Sequence, residues 1–281
     1  MMIMKMMILK IYVNMNMFKK KNIIKYICIP IFLIILAGIL SYEEEIQYTP
    51  GDYSLESTFP KEADKPDFSS IEDFKAKKKA FIKYMLENIK QANKEICLQK
   101  KQMAQLEKVL DKGKRLNKRQ IKKLNVYLQY YKVESSHTTH DEIELLKLKA
   151  GMVPTSFVLA QAILESGWGT SRFAKNYNNY FGLHCAYKGC GVKAKNADVY
   201  LETFSDAAES VLGYYRRLNT GSSFKEFRIT RAEVDNNKKS KKRLLDTLEN
   251  YSELQDGEYK NRLISVIKHN NLTQYDSDKY C

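Results

Sequence analysis

Between residues 71 and 110 apolar side chains return every three or four positions, through Ile71, Phe74, Phe81, Met85, Ile89, Ala92, Ile96, Met103, Leu106 and Leu110. That step keeps one side of an α-helix apolar, so the spacing predicts a single long helix, closed at Asp111-Lys112-Gly113. The stripe is broad, which suits a globular core better than a narrow coiled-coil seam; a partner-binding helix over 71–110 is the other reading. A second helix, about 118–132, is predicted to fold back against it, and 135–140 reads as a loop. The next helix opens at Pro154 and is apolar nearly all round, with Phe157, Val158, Ala160, Ala162, Ile163 and Leu164, so it belongs in a core until Gly167 and Gly169 stop it. At 198–204 the period falls to two, which predicts a strand with Asp198, Tyr200, Glu202 and Phe204 on one face. A helix over 207–218 then sets Ala208, Val211, Leu212 and Tyr215 on one face and leaves Tyr214 and Arg216 off it. A last helix carries Tyr259, Leu263, Val266 and Ile267, while 228–243 is too basic and polar for a core and reads as surface.

The amino-terminal pattern is of another kind. Lys19, Lys20, Lys21 and Lys25 precede an uncharged, largely aliphatic run from Tyr26 to Tyr42, and Glu43, Glu44 and Glu45 follow it. Basic flanks stay in the cytoplasm, so the run at 26–42 is expected to engage a membrane and direct the rest of the chain outward. It lacks a clean small-x-small cleavage site, which favours an uncleaved anchor over a removed signal peptide. Pro50, Gly51, Pro60 and Pro66 among scattered charges then read as a flexible tether over 43–70.

The formal charge is +14, from 47 Lys and Arg against 33 Asp and Glu, which attracts polyanions without choosing among them. No zinc finger, helix-turn-helix or RNA-binding aromatic motif accompanies it, and the basic residues are spread over several helices, so no nucleic-acid partner is expected. Of five cysteines, Cys28, Cys97 and Cys281 read as unpaired. Cys185 and Cys190 flank a Lys-Gly turn and can close a small loop in an oxidising compartment. A zinc site would need His184 together with His137 or His140, and no paired-ligand spacing supports it; neither metal nor organic cofactor is expected.

Candidate chemistry centres on Glu165. It falls in the last turn of the apolar helix beside Trp168, the one tryptophan. Apolar neighbours, the carbonyl end of the helix and a nearby indole all disfavour a negative charge there, so its proton is held to higher pH than usual. A carboxyl of that kind can protonate a leaving oxygen, the general-acid role in glycoside hydrolysis.

The run AQAILESGWGTSRFAKNYNNYFG at 160–182, the cysteine pair in HCAYKGCG, and FSDAAESVLGYYRRLNT at 204–220 come in an order that resembles bacterial peptidoglycan N-acetylglucosaminidases of glycoside hydrolase family 73, Bax-type branch. The likeness covers roughly residues 70–275. It implies a mainly α (α+β), lysozyme-like domain in which a small β-lobe faces a helical lobe across a cleft. It also implies that Glu165 is the catalytic acid, that Asn178, Asn179, Tyr180, Phe181 and Gly182 form the turn lining the sugar cleft, and that Tyr214 is an active-site tyrosine. Trp168, Tyr180 and Phe181 would then offer apolar surfaces to sugar rings, and Asn179 and Tyr214 hydrogen bonds. One position departs from the pattern: Tyr200 stands where the branch is expected to carry an acid. Asp198 or Glu202 then becomes the candidate second carboxylate; otherwise the substrate's own acetamido group assists, or the reaction is a transglycosylation.

The domain reading that follows is 1–42, basic segment and signal-anchor helix; 43–70, tether; 71–134, helical lead-in; and 135–281, catalytic domain. Peptidoglycan glycan strands are the expected partner, and the cell envelope, outside the cytoplasm, the expected address. A wall-binding module without turnover, and an interaction protein using helix 71–110, are the readings from other functional classes.

Overall fold

Asp73 opens the long helix. Its carboxylate accepts from the backbone amides of Lys75 and Ala76, two of the donors that a first turn leaves unpaired. Helix α1 then runs Phe74–Asp111. In this computed structural model the described residues are 65–134, 138–185, 190–195, 198–236, 240–252, 254, 257–277 and 281, all within the compact unit Tyr53–Cys281. The predicted membrane segment at 26–42 and most of the predicted tether lie outside them. Among the described residues no helix is long and apolar enough to cross a membrane.

The stripe on α1 is covered by the chain itself. Phe81, Met85, Ile89, Ala92 and Ile96 enter the main core, whereas Met103 and Leu106 enter a second cluster with α2 (Lys118–Tyr130) and α3 (Thr139–Lys149). Apart from Ala92, each of these side chains contributes about 1.5–3 kcal/mol when fully buried, which ties one helix into both clusters.

Helix α4, Thr155–Ser166, is the centre of the main core, with ten of its residues buried. Pro154 stands at its N-cap and can make no side-chain bond there. Asp276 supplies the missing acceptor from the far end of the chain, receiving Ser156 N–H at 2.8 Å and the Ser156 hydroxyl at 3.0 Å. Gly167, Trp168 and Gly169 all have positive φ (56°, 60° and 78°), which ends the helix sharply and turns the chain toward α5, Arg172–Tyr177.

The predicted strand is much shorter than its alternation implies. Only Tyr200–Leu201 (β2) pairs, antiparallel with Val192–Lys193 (β1), in the register Val192↔Leu201 and Lys193↔Tyr200; His184 bridges to Leu201. Beyond Leu201 the backbone bonds go elsewhere: Glu202 N–H donates to Leu183 and Phe204 N–H to Tyr177, so these residues brace the turn after α5.

Helix α6, Ala207–Thr220, is buried on more than the one face predicted, and Tyr214, placed off that face by its phase, is fully enclosed. The basic stretch from 228 also departs from expectation, since Arg228 and Arg231 of α7 (Lys225–Asp235) are buried. Each guanidinium satisfies backbone carbonyls that helix ends leave open. Arg228 donates to Leu218 and Gly221 at the end of α6, and Arg231 to Leu148 and Lys149 at the end of α3 and to the Asn219 side chain. Burial lowers the Arg231 pKa to about 10. Helices α8 (Lys242–Asp246) and α9 (Glu258–His269) complete the set, with α9 packed on α4.

Two disulfides close the described part. Cys185–Cys190 matches the pairing expected, but Cys97 and Cys281, read as unpaired, are joined across 184 positions with their Cα atoms 5.5 Å apart. No local spacing could reveal a bond formed by the fold's return to the middle of α1.

Candidate active site

The last turn of α4 carries Glu165 to the foot of a cleft of about 330 Å³. The cleft is lined by Glu165, Phe181, Gly182, Leu183, His184, Arg217, Phe224, Asn250, Tyr251 and Ser252. Among the described residues Glu165 is its one carboxylate. Burial raises the Glu165 pKa, and a hydrogen bond from Tyr259 opposes that rise without cancelling it. Gly182, at φ 61°, lets the chain pass close over the acid: a Cβ there would stand 3.5 Å from Glu165 Oε2.

The other oxygen is held from below. Tyr259 of α9 donates its hydroxyl hydrogen to Glu165 Oε1 at 3.0 Å. Gln161, one turn earlier on α4 and fully buried, donates Nε2–H to the Tyr259 oxygen at 2.9 Å, and its Oε1 accepts from the hydroxyl of Tyr214. Tyr214, Gln161, Tyr259 and Glu165 thus form one directed chain of hydrogen bonds. Tyr259 has committed its only hydrogen to Oε1, so the acid's own proton belongs on Oε2, beside Gly182.

Aromatic rings fix this chain in place. Phe181 stacks on Tyr214 (centroids 4.5 Å apart, 12° between planes) and Tyr251 on Tyr259 (5.9 Å, 12°). Tyr251 also donates to the Phe181 carbonyl at 2.9 Å and forms part of the cleft wall. Burial pushes the phenols of Tyr214, Tyr251 and Tyr259 far up, so they stay neutral donors at any working pH.

Of the residues expected at the site, Glu165, Phe181 and Gly182 line the cleft, and the others stand elsewhere. Trp168 lies against Phe74 and Phe81 of α1, with Lys78 over its ring at 5.0 Å, because the left-handed turn after α4 swings it toward that helix. Tyr180 is fully buried near Phe81 and Tyr84, with no ring face for a ligand. Asn179 is buried and uses its amide internally, donating to Leu183 and Glu202 carbonyls and accepting from Leu183 N–H. It shapes the turn that puts Gly182 over the acid. Tyr214 reaches Glu165 only through Gln161 and Tyr259. Asn178, in the left-handed conformation, ties α5 to the Phe204 and Ser205 carbonyls.

Neither candidate second carboxylate lines the cleft. Asp198 is exposed and paired with Lys193 at 2.9 Å, and Glu202 is held by Arg216 at 3.1 Å. The sulfurs of Cys185 and Cys190 are joined to each other, which leaves no thiolate beside His184 for a metal. Gln161, Tyr251 and Tyr259 were not anticipated. Gln161 is the lone amide in an apolar helix four positions before the acid, a signal that was available; Tyr259 occupies a core position of α9, where periodicity shows burial and not its partner.

A buried carboxyl whose pKa is raised by burial, in an aromatic-walled cleft of a mainly helical domain, is an arrangement suited to acid catalysis. Residues 141–272 match the family model Glucosaminidase, described as mannosyl-glycoprotein endo-beta-N-acetylglucosaminidase. That stretch is similar to the glucosaminidase family, glycoside hydrolase family 73, and the likeness is to its Bax-type branch. Protein bax of Escherichia coli (strain K12) is 38% identical over 105 residues, which cover 37% of this chain and 38% of that protein. The chain therefore spans less than two fifths of the length of this curated relative.

Proposed function

We propose that the protein is an exported glycoside hydrolase that cleaves β-1,4 bonds after N-acetylglucosamine in peptidoglycan, with Glu165 as general acid. One observation carries this reading: the cleft acid has one oxygen fixed by the Tyr214–Gln161–Tyr259 chain and the other, bearing the proton, beside Gly182. As the bond to the anomeric carbon lengthens, Oε2 delivers its proton to the departing oxygen, and the Tyr259 hydroxyl stabilises the charge that appears on the carboxylate. Among the described residues no second carboxylate faces Glu165, which favours assistance by the substrate. The acetamido oxygen then attacks the anomeric carbon as the leaving oxygen takes the proton, giving a cyclic oxazolinium ion. Water next opens that ring while Glu165 takes back a proton. An address outside the cytoplasm, with the segment at 26–42 as membrane tether, is supported by the basic flank and by two disulfides.

The test is mass spectrometry of purified peptidoglycan digested with wild type and with Glu165→Gln. The expected result is soluble fragments with N-acetylglucosamine reducing ends from the wild type alone. Anhydro-muramic ends would instead mean transglycosylation, and wall binding without fragments a binding module.

A further inference from the structure

The face of α1 turned away from the core carries a second, independent feature. Lys79, Lys83, Lys90, Lys94, Lys101 and Lys108 are exposed or lie outermost on that helix, and none forms an ion pair among the described residues. At 3.6 residues per turn these six positions fall within an arc of about 60°, roughly opposite the stripe that includes Phe81, Met85 and Met103. From Lys79 to Lys108 the row is ~44 Å long, with steps of ~6 and ~10 Å along the axis. No acidic residue of α1 falls inside the arc; Glu87 lies at its edge, and Cys97, bonded to Cys281, lies within it between Lys94 and Lys101. A helix face meant only for solubility commonly alternates signs, because Glu and Lys one turn apart stabilise each other. On this face that spacing occurs only around Glu87, one turn from Lys83 and from Lys90.

We propose that this lysine row is a docking surface for the carboxylate-bearing peptide stems of peptidoglycan, outside the cleft. The proposal rests on the substrate assigned above. Charge complementarity and form argue for it. Lysine ammonium groups are compact and non-directional, which suits repeated single charges on a flexible polymer, and the row is straight and one-dimensional, like a glycan strand with its stems. The apolar side of α1 is already buried, so the helix has no hydrophobic face left to insert into a lipid bilayer.

The experiment sediments the full chain, in mild neutral detergent and carrying Glu165→Gln, with insoluble purified peptidoglycan over a range of salt. The ladder variant combines Lys83→Gln, Lys90→Gln, Lys94→Gln and Lys101→Gln. A control removes the same formal charge from α2 through Lys118→Gln, Arg119→Gln, Lys122→Gln and Lys123→Gln. The expected result is an affinity loss of about tenfold for the ladder variant and less than about twofold for the control, with a weaker salt dependence in the ladder variant. Amidation of the wall carboxylates should remove the difference. Equal losses in both variants, or a difference that survives amidation, would overturn the proposal. So would a ladder variant that loses binding to anionic phospholipid vesicles and keeps binding to the wall. Fragment release is read separately from wild type: ladder-dependent wall binding without fragments would defeat the hydrolase reading and leave the docking surface standing.

Discussion

At Glu165 two opposing influences set the proton, and each can be removed alone. On the proposed mechanism the acid works protonated, so activity falls as pH rises through its pKa; the Tyr259 bond favours the ionised form and holds that pKa down against burial. Tyr259→Phe is expected to move the high-pH limb of kcat/KM upward and to lower kcat about tenfold, since a hydrogen bond to a charged group contributes roughly 1.5–3 kcal/mol. A pH profile of fragment release checks both. A second expectation concerns stability. Because the folded state raises this pKa, the group's contribution is fully present below the unfolded pKa and is lost as pH rises through the folded one. Glu165→Gln should therefore unfold at a higher temperature than wild type near pH 8, with the gap shrinking toward pH 4, as followed by circular dichroism. The acid was legible in the sequence because it ends an apolar run. Trp168, Tyr180 and Asn179 were misplaced because motif neighbours alternate between the cleft and the core, and a left-handed turn of three residues decides which goes where.

Among the elements, α1 and α4 show what periodicity can and cannot convey. The boundaries of α1 follow from Asp73 and from Asp111-Lys112-Gly113, and its apolar stripe predicts a core contact; the identity of that core, α4 and α6, is set by tertiary contacts. Phe81→Ala should cost about 3–5 kcal/mol, because Phe81 is fully buried between Phe68, Trp168 and Tyr180, and urea unfolding measures it. The cap of α4 was invisible locally, since Pro154 offers none and Asp276 is remote in sequence. Asp276→Ala is expected to cost about 0.5–2 kcal/mol in the same assay. The strand at 198–204 failed for the opposite reason. Its alternation is real, but the partners available beyond Leu201 are carbonyls of the turn after α5, and a regular ladder cannot continue there.

For the molecule as a whole, the Cys97–Cys281 bond joins α1 to residues that follow the α4 cap. Breaking it by Cys97→Ser should lower stability by about 2–4 kcal/mol, seen as an earlier denaturation midpoint, with wild type and variant converging once both are reduced. The bond also makes the chain from 97 to 281 a closed ring. A protease that cuts once anywhere inside it opens the loop without parting the molecule, so such a protein runs as one species on a gel until it is reduced, and Glu165 and Tyr259 stay linked even when the peptide between them has been severed.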